Sequence, residues 1–257
     1  MIGRDYTQVG GPDGSFRTTQ WTQIQRLQTQ NATHARELLG QLLLTYWKPV
    51  YCYLRRRGHG DAEAKDLTQG FIEAVALGRD LLGKADPARG RFRTYLLTAL
   101  QTYVREVHRK AVARKRGGGA RKLALHDLKG EAIPIPDETG TPEDAFSHAW
   151  AAELLDQTLA EVEADCRSAG LDVHWELFCA RVIRPILEGG KPTPLPELCK
   201  AHGIDGEAKA SNMIVTVKRR FQASFRRRLR ESVADGEDLD REIQEVLKIL
   251  ARGRAGS

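Results

Sequence analysis

No run of apolar residues in this chain approaches the roughly 20 that a bilayer-spanning helix needs, so no membrane span is expected. The start, Met1 to Ser15, is polar and glycine-rich and lacks the apolar stretch of a secretory signal, so a cytoplasmic protein is expected. Cysteine is scarce: Cys52, Cys166, Cys179 and Cys199 stand far apart with no C-x-x-C pair. That spacing argues against a zinc site and against a disulfide framework, and all four read as reduced, mostly buried small apolar residues. Alternation of polar and apolar residues, the mark of a strand, stands out nowhere, so the expected fold class is all-α. Clustered carboxylates, or a nucleophile beside its base, are also lacking. No enzyme, no cofactor and no metal are therefore expected.

What is present is positive charge in two places. The 257 residues hold 40 Lys+Arg against 34 Asp+Glu, a net charge of +6. The excess is modest, but it is concentrated. Between Arg105 and Lys122 there are eight Lys/Arg and one acid, Glu106; between Lys218 and Arg230 there are seven and no acid. Such clusters meet polyanions. Between them, from Glu131 to Asp165, lie ten acids and no Lys or Arg.

The pattern divides the chain. Residues 1–15 have little to bury and read as a disordered extension. Residues 16–119 read as a first helical unit, 120–145 as a flexible acidic linker with three prolines, 146–233 as a second unit, and 234–257 as an acidic C-terminal helix and tail. In the first unit Leu38, Leu39, Leu42, Leu43, Tyr46, Trp47, Val50, Tyr51 and Leu54 share a helical face. Pro49 predicts a kink or break near Lys48, and Gly58 a C-terminal cap. Asp61 is the expected N-cap of the next helix. A long helix then carries Phe92, Tyr95, Leu96, Ala99, Leu100, Tyr103, Val104 and Val107 inward. His59, Asp61, Glu63 and Asp66 invite a metal reading, but Asp61 and Glu63 point in different directions on a helix, and acids gather at a helix start for dipole reasons alone.

Three blocks go further: Tyr46-Trp47-x-Pro49-x-Tyr51-x-Tyr53-Leu54-Arg55-Arg56, Asp61-Ala62-Glu63-x-x-Asp66-Leu67-Thr68-Gln69-x-Phe71, and Arg91-Phe92-Arg93-Thr94-Tyr95-Leu96. Together they resemble region 2 of bacterial RNA polymerase sigma factors of the extracytoplasmic-function (ECF) group. Arg57-Gly58-His59 and Lys115-Arg116-Gly117-Gly118-Gly119 are similar to a branch associated with planctomycetes and myxobacteria. The resemblance implies core RNA polymerase, through its β′ and β subunits, and promoter DNA as partners, with an anti-sigma factor or another regulator as a further one. It places Asp66 and Gln69 in contact with the polymerase, with Leu67 and Phe71 as inward anchors; the family often has Glu where this chain has Gly70. It implies melting of the −10 element by Gln101, Thr102 and Tyr103, which stand where the family often carries an aromatic next to an Asn, with Arg105, His108, Arg109 and Lys110 on the phosphates. Tyr95 and Tyr103 also lie on the apolar stripe, so a pure core role stands beside that one.

In the second unit a short helix, Pro196 to His202, a turn at Gly203 and a long basic helix from about Glu207 have the order of a helix-turn-helix. This part resembles sigma region 4, which reads the −35 element. Ser211, Asn212, Thr216, Lys218, Arg219 and Arg220 are its polar candidates, some reading bases and others only positioning phosphate; Met213, Ile214, Val217 and Phe221 read as core. Arg226-Arg227-Arg228 is either part of the DNA surface or a solvated basic face. The leading expectation is a sigma factor. The alternative is a stand-alone helix-turn-helix regulator. The tail acids Glu237, Asp238, Asp240, Glu242 and Glu245 are expected to pack on the basic run Arg219 to Arg230 and restrain it.

Overall fold

The computed structural model describes residues 45–77, 91–116, 140–188, 190–230 and 239–252, and every regular element among them is helical. Residues 1–15, the expected helical positions Leu38, Leu39, Leu42 and Leu43, and all of the linker but its last residues lie outside this set. In chain order the helices are α1 (described over 45–56), α2 (Asp61–Leu77), α3 (Phe92–Arg116), α4 (Pro142–Ser168), α5 (Asp172–Phe178), α6 (Arg184–Glu188), α7 (Leu195–His202), α8 (Glu207–Arg230) and α9 (Leu239–Arg252).

The glycines stop helices where the sequence places them. Gly58 has φ +92, a region closed to most side chains, and the paired bonds from Gly58 N–H to the Arg55 carbonyl (3.0 Å) and from His59 N–H to the Leu54 carbonyl (3.2 Å) close α1. Of the kink or break expected near Lys48, a break is not seen: α1 runs on through Pro49, whose missing donor would have reached only Thr45, in the first described turn. Asp61 is also not a cap. It is the first residue of α2, and its carboxylate accepts a 2.5 Å bond from the Tyr51 hydroxyl while lying 3.0 Å from Lys65 Nζ and 3.4 Å from Arg55 Nη1. The Tyr51 bond, then Lys65, holds the Asp61 carboxyl below its usual range, while burial and the Asp61 bond push the Tyr51 phenol up to about 12. Helix α4 begins at Pro142, inside the last residues assigned to the linker. Thr141 caps it in a reciprocal box, with Asp144 N–H donating to Thr141 Oγ1 (3.1 Å) and Thr141 N–H to Asp144 Oδ2 (2.9 Å).

Two apolar clusters organise the packing. The first joins α1, α2 and α3 to the N-terminal half of α4, the C-terminal end of α8 and α9. Its centre is aromatic: Tyr46 meets Phe92 edge-on at 5.6 Å and stacks on Phe146 at 6.2 Å, with Trp150, Phe225, Leu229 and Val246 also buried. The second joins the C-terminal half of α4 to α5, α7 and the N-terminal half of α8 through Val162, Cys166, Leu177, Phe178, Leu198, Ala210, Ile214 and Val217. Helices α4 and α8 run through both clusters. Phe221 touches both, lying 6.2 Å from Phe178 and stacking at 5.7 Å on Phe225. The first core thus draws on helices from both sides of the acidic stretch.

Between α5 and α6 the backbone widens into a π-turn, Cys179–Ile183, with Arg184 N–H reaching the Cys179 carbonyl. Pro185 follows at once and cannot donate to Arg181. Arg181 instead donates from its side chain to the Thr193 carbonyl (2.8 Å), which fastens the approach to α7.

The C-terminal helix departs from the expectation. Leu239, Ile243, Val246 and Leu250 face the first cluster, while Leu247 is 55% exposed. Two of its three acids do not settle on Arg219 to Arg230. Glu242 is 1% exposed and pairs with Arg93 and with Arg91 (2.8 Å to Nη2), and Glu245 pairs with Arg91 and lies 3.6 Å from Arg93. Among the described residues only Asp240 reaches the basic run, as a solvent-exposed pair with Arg226 at 3.1 Å; Glu237 and Asp238 lie outside the described residues. The physical reason is burial: an acid carried inward by the apolar face of α9 needs a cation already inside. Arg93, itself 7% exposed and lying 4.3 Å over the Trp150 ring, is such a cation.

Candidate nucleic-acid interface

The helix-turn-helix begins with α7, which sinks Leu198 into the second cluster. Gly203, at φ +61, then turns the chain, with Ile204 N–H bonding back to the Cys199 carbonyl at 2.9 Å, and Gly206 at φ +93 turns it again. The turn is short, Gly203 to Gly206, and α8 starts directly after it. His202 Nδ1 lies 3.4 Å from Glu176 on α5, which braces the turn from behind.

Helix α8 has two faces. Ala210, Ile214, Val217, Ser224, Phe225 and Leu229 are buried. Ser211, Asn212, Val215, Lys218, Arg219 and Gln222 are exposed and, at about 100° per residue, fall within one stripe along the opposite side. From Ala208 to Arg230 the helix carries no acid. A cylinder of this diameter with a polar, cationic outer stripe fits a DNA major groove.

Not every sequence candidate joins that stripe. Ser211, Asn212, Lys218 and Arg219 lie on it. Thr216 is exposed on its flank, and its hydroxyl donates to the Asn212 carbonyl at 2.9 Å. Arg220 is half-buried on the side toward the core, close enough to Cys166 to oppose the rise that burial gives that thiol. Of the arginine triplet, Arg227 and Arg228 pair with Glu161 on α4, with Arg228 Nε 2.9 Å from Glu161 Oε2. These two arginines fasten α8 to α4.

A second cationic surface lies at the far end of α3. Arg105, His108, Arg109 and Lys110 are all exposed, and none is ion-paired with another described residue. Every residue from His108 to Ala111 is exposed, so this part of the helix stands clear of the bundle. The three candidates before it are engaged within the fold. Gln101 donates to Glu143 of α4 at 2.9 Å, Thr102 donates to the Thr98 carbonyl at 3.0 Å, and Tyr103 is half-buried, 5.6 Å from Phe71.

On α2, Asp66 and Gln69 are exposed while Leu67 packs on the first cluster and Phe71 is buried in it. Gln69 donates to Glu73 one turn along at 3.0 Å. Gly70 has a packing reason: a Cβ there would meet the Tyr103 hydroxyl at 2.5 Å, so the glycine makes room on α2 for the hydroxyl end of this α3 tyrosine. Neither Val215 nor the Arg91–Arg93–Glu242 knot was among the sequence candidates. The valine could have been found from its place between polar residues at i−4, i−3, i+3 and i+4; the knot joins residues far apart in the chain and has no local signal.

Among the described residues no three His, Cys, Asp or Glu side chains gather to hold a metal ion, and no helix is long and apolar enough to cross a membrane. Comparison with protein-family models, with curated proteins and with solved structures finds no match to this chain.

Proposed function

We propose that this protein is a promoter-directed DNA-binding factor of the sigma type, bringing core RNA polymerase to DNA through two cationic helices. The observation that carries the DNA-binding part is the acid-free exposed stripe of α8 behind a glycine turn, held rigid by Ile214 and Val217. The sigma part is supported by the second cationic surface at Arg105, Arg109 and Lys110 and by the region 2 resemblance of the helices that carry it. In this reading α8 reads duplex DNA at the −35 element, the α3 end tracks the −10 phosphates, and the exposed Asp66 and Gln69 of α2 contact the polymerase. The test is capture of bacterial core polymerase by the purified chain, followed by footprinting of melted DNA on selected promoter fragments. Core capture with a melted −10 region is the expected result; failure to capture core ends the sigma reading.

A stand-alone helix-turn-helix regulator is the second reading, and one observation favours it. Phe225 and Leu229 of α8 lie in the same core as Tyr46 and Phe92, so the DNA-reading helix is built into the N-terminal bundle. Such a protein binds duplex DNA as tightly without polymerase as with it, which separates the two readings directly.

A further inference from the structure

Val215 is one of few large apolar side chains left open to solvent among the described residues, at 37% exposure. A lone exposed valine is ordinary. Its position is not. It lies on the midline of the α8 stripe, flanked by Ser211 and Lys218 on one side and by Asn212 and Arg219 on the other, all exposed. No acid shares this face, and the helix behind Val215 is anchored by Ile214 and Val217, which are 9% and 0% exposed. Thr216, whose methyl could have served the same purpose, lies to the flank with its hydroxyl bound to the Asn212 carbonyl.

We infer that Val215 is a specificity-determining residue that packs against the C5 methyl of a thymine in the major groove, between an adenine-type contact from Asn212 and a guanine-type contact from Arg219. The inference rests on the helix-turn-helix reading above and deepens it. The charge of the stripe selects a polyanion. Within a major groove the one apolar group on a base edge is the thymine methyl. The spacing fits: from Asn212 to Arg219 the helix rises about 10 Å, which is about three base pairs at 3.4 Å each. The three side chains therefore read one short tract with a thymine inside it. Asn pairs with adenine N6 and N7 and Arg with guanine O6 and N7 by geometry, and valine supplies the apolar contact that neither can make.

The experiment selects duplexes from a randomised pool with the full chain, with and without bacterial core polymerase. Each thymine of the selected tract is then replaced by deoxyuridine, which removes only the methyl. At one position wild-type binding is expected to weaken about fourfold, the worth of one methyl withdrawn from water. Val215→Ala is expected to bind the thymine and deoxyuridine duplexes equally, with an unchanged melting temperature because the side chain is exposed. Wild-type binding insensitive to deoxyuridine at every position overturns the inference, as does a selected tract without thymine or a Val215→Ala variant that keeps the wild-type ratio. Arg219→Ala separates the levels. If it loses duplex binding while the methyl has no effect, the helix-turn-helix reading survives and the inference alone falls. If the full chain selects no duplex under either condition, both fall.

Discussion

The two apolar clusters are built in opposite ways. The second uses residues from one continuous stretch, Val162 to Val217, is mostly aliphatic, and serves to hold α8 at a fixed angle behind its exposed stripe. The first gathers Tyr46, Phe92, Trp150, Phe225 and Val246 from five helices spread across the chain, is aromatic, and buries the Arg93–Glu242 pair of a charged knot that Arg91 and Glu245 extend toward solvent. The second is a local device that presents a surface. The first is a long-range device that binds distant parts of the chain together, and α4 and α8 transmit one to the other through Phe221.

The sharpest way to break this comparison is to cut one large side chain from each core. Phe146→Ala is expected to cost about 3–5 kcal/mol and to lower the midpoint of denaturant unfolding for the chain as a whole, because Phe146 stacks on Tyr46 across the first core. Leu198→Ala, at about 2–5 kcal/mol, is expected to cost duplex binding while the first cluster keeps its near-ultraviolet aromatic signal. Equal loss of both signals in both variants would show a single cooperative core instead of two.

The charged knot comes next. Removing one partner of a buried pair strands the others, at about 3–5 kcal/mol, so Glu242→Ala is expected to destabilise far more than Asp240→Ala, whose pair with Arg226 is exposed and worth about 1 kcal/mol at most. Thermal melts of the two variants check this. Equal effects would mean that α9 is held by its apolar face alone. Arg219→Ala, with its change on the exposed stripe, is expected to leave the melt untouched and to weaken duplex binding by about 1–3 kcal/mol, seen by titration at fixed salt.

The smallest effect concerns the start of α2. Because the folded protein holds the Asp61 carboxyl below its ordinary value, its contribution to stability is fully present above the unfolded carboxylate value of about 3.9. It is lost as the pH falls through the lower folded value. The stability gap between wild type and Asp61→Asn is therefore expected to be constant near neutral pH and to close in acid. A gap that widens on acidification would show that the Tyr51 bond does not favour the carboxylate.

Much of the helix layout was legible because helices are local. Spacing alone places α2, α3, α8 and α9, and the turns at Gly58 and Gly203 follow from glycine's freedom at positive φ. The exposed polar candidates Ser211, Asn212, Lys218 and Arg219 were legible for the same reason: a helical stripe is a one-dimensional pattern. The engagements of Gln101 with Glu143 and of Arg228 with Glu161 were not, since each joins residues that only packing brings together. Gly70 reads in the sequence as a departure from the Glu that the resembled family often has there, and in the structure as the seat of Tyr103.

By itself, then, the sequence determined the helical character of the described residues and two cationic stretches with their periodicity, because propensity, period and charge act over one or two turns. Only the tertiary structure decided which of those cations face outward and which are consumed inside. Glu242 and Glu245 of α9 went to Arg91 and Arg93, while the exposed Asp240 met Arg226 of the nearer run, because a carboxylate carried into an apolar core, as Glu242 is, is stable only where a cation is buried beside it.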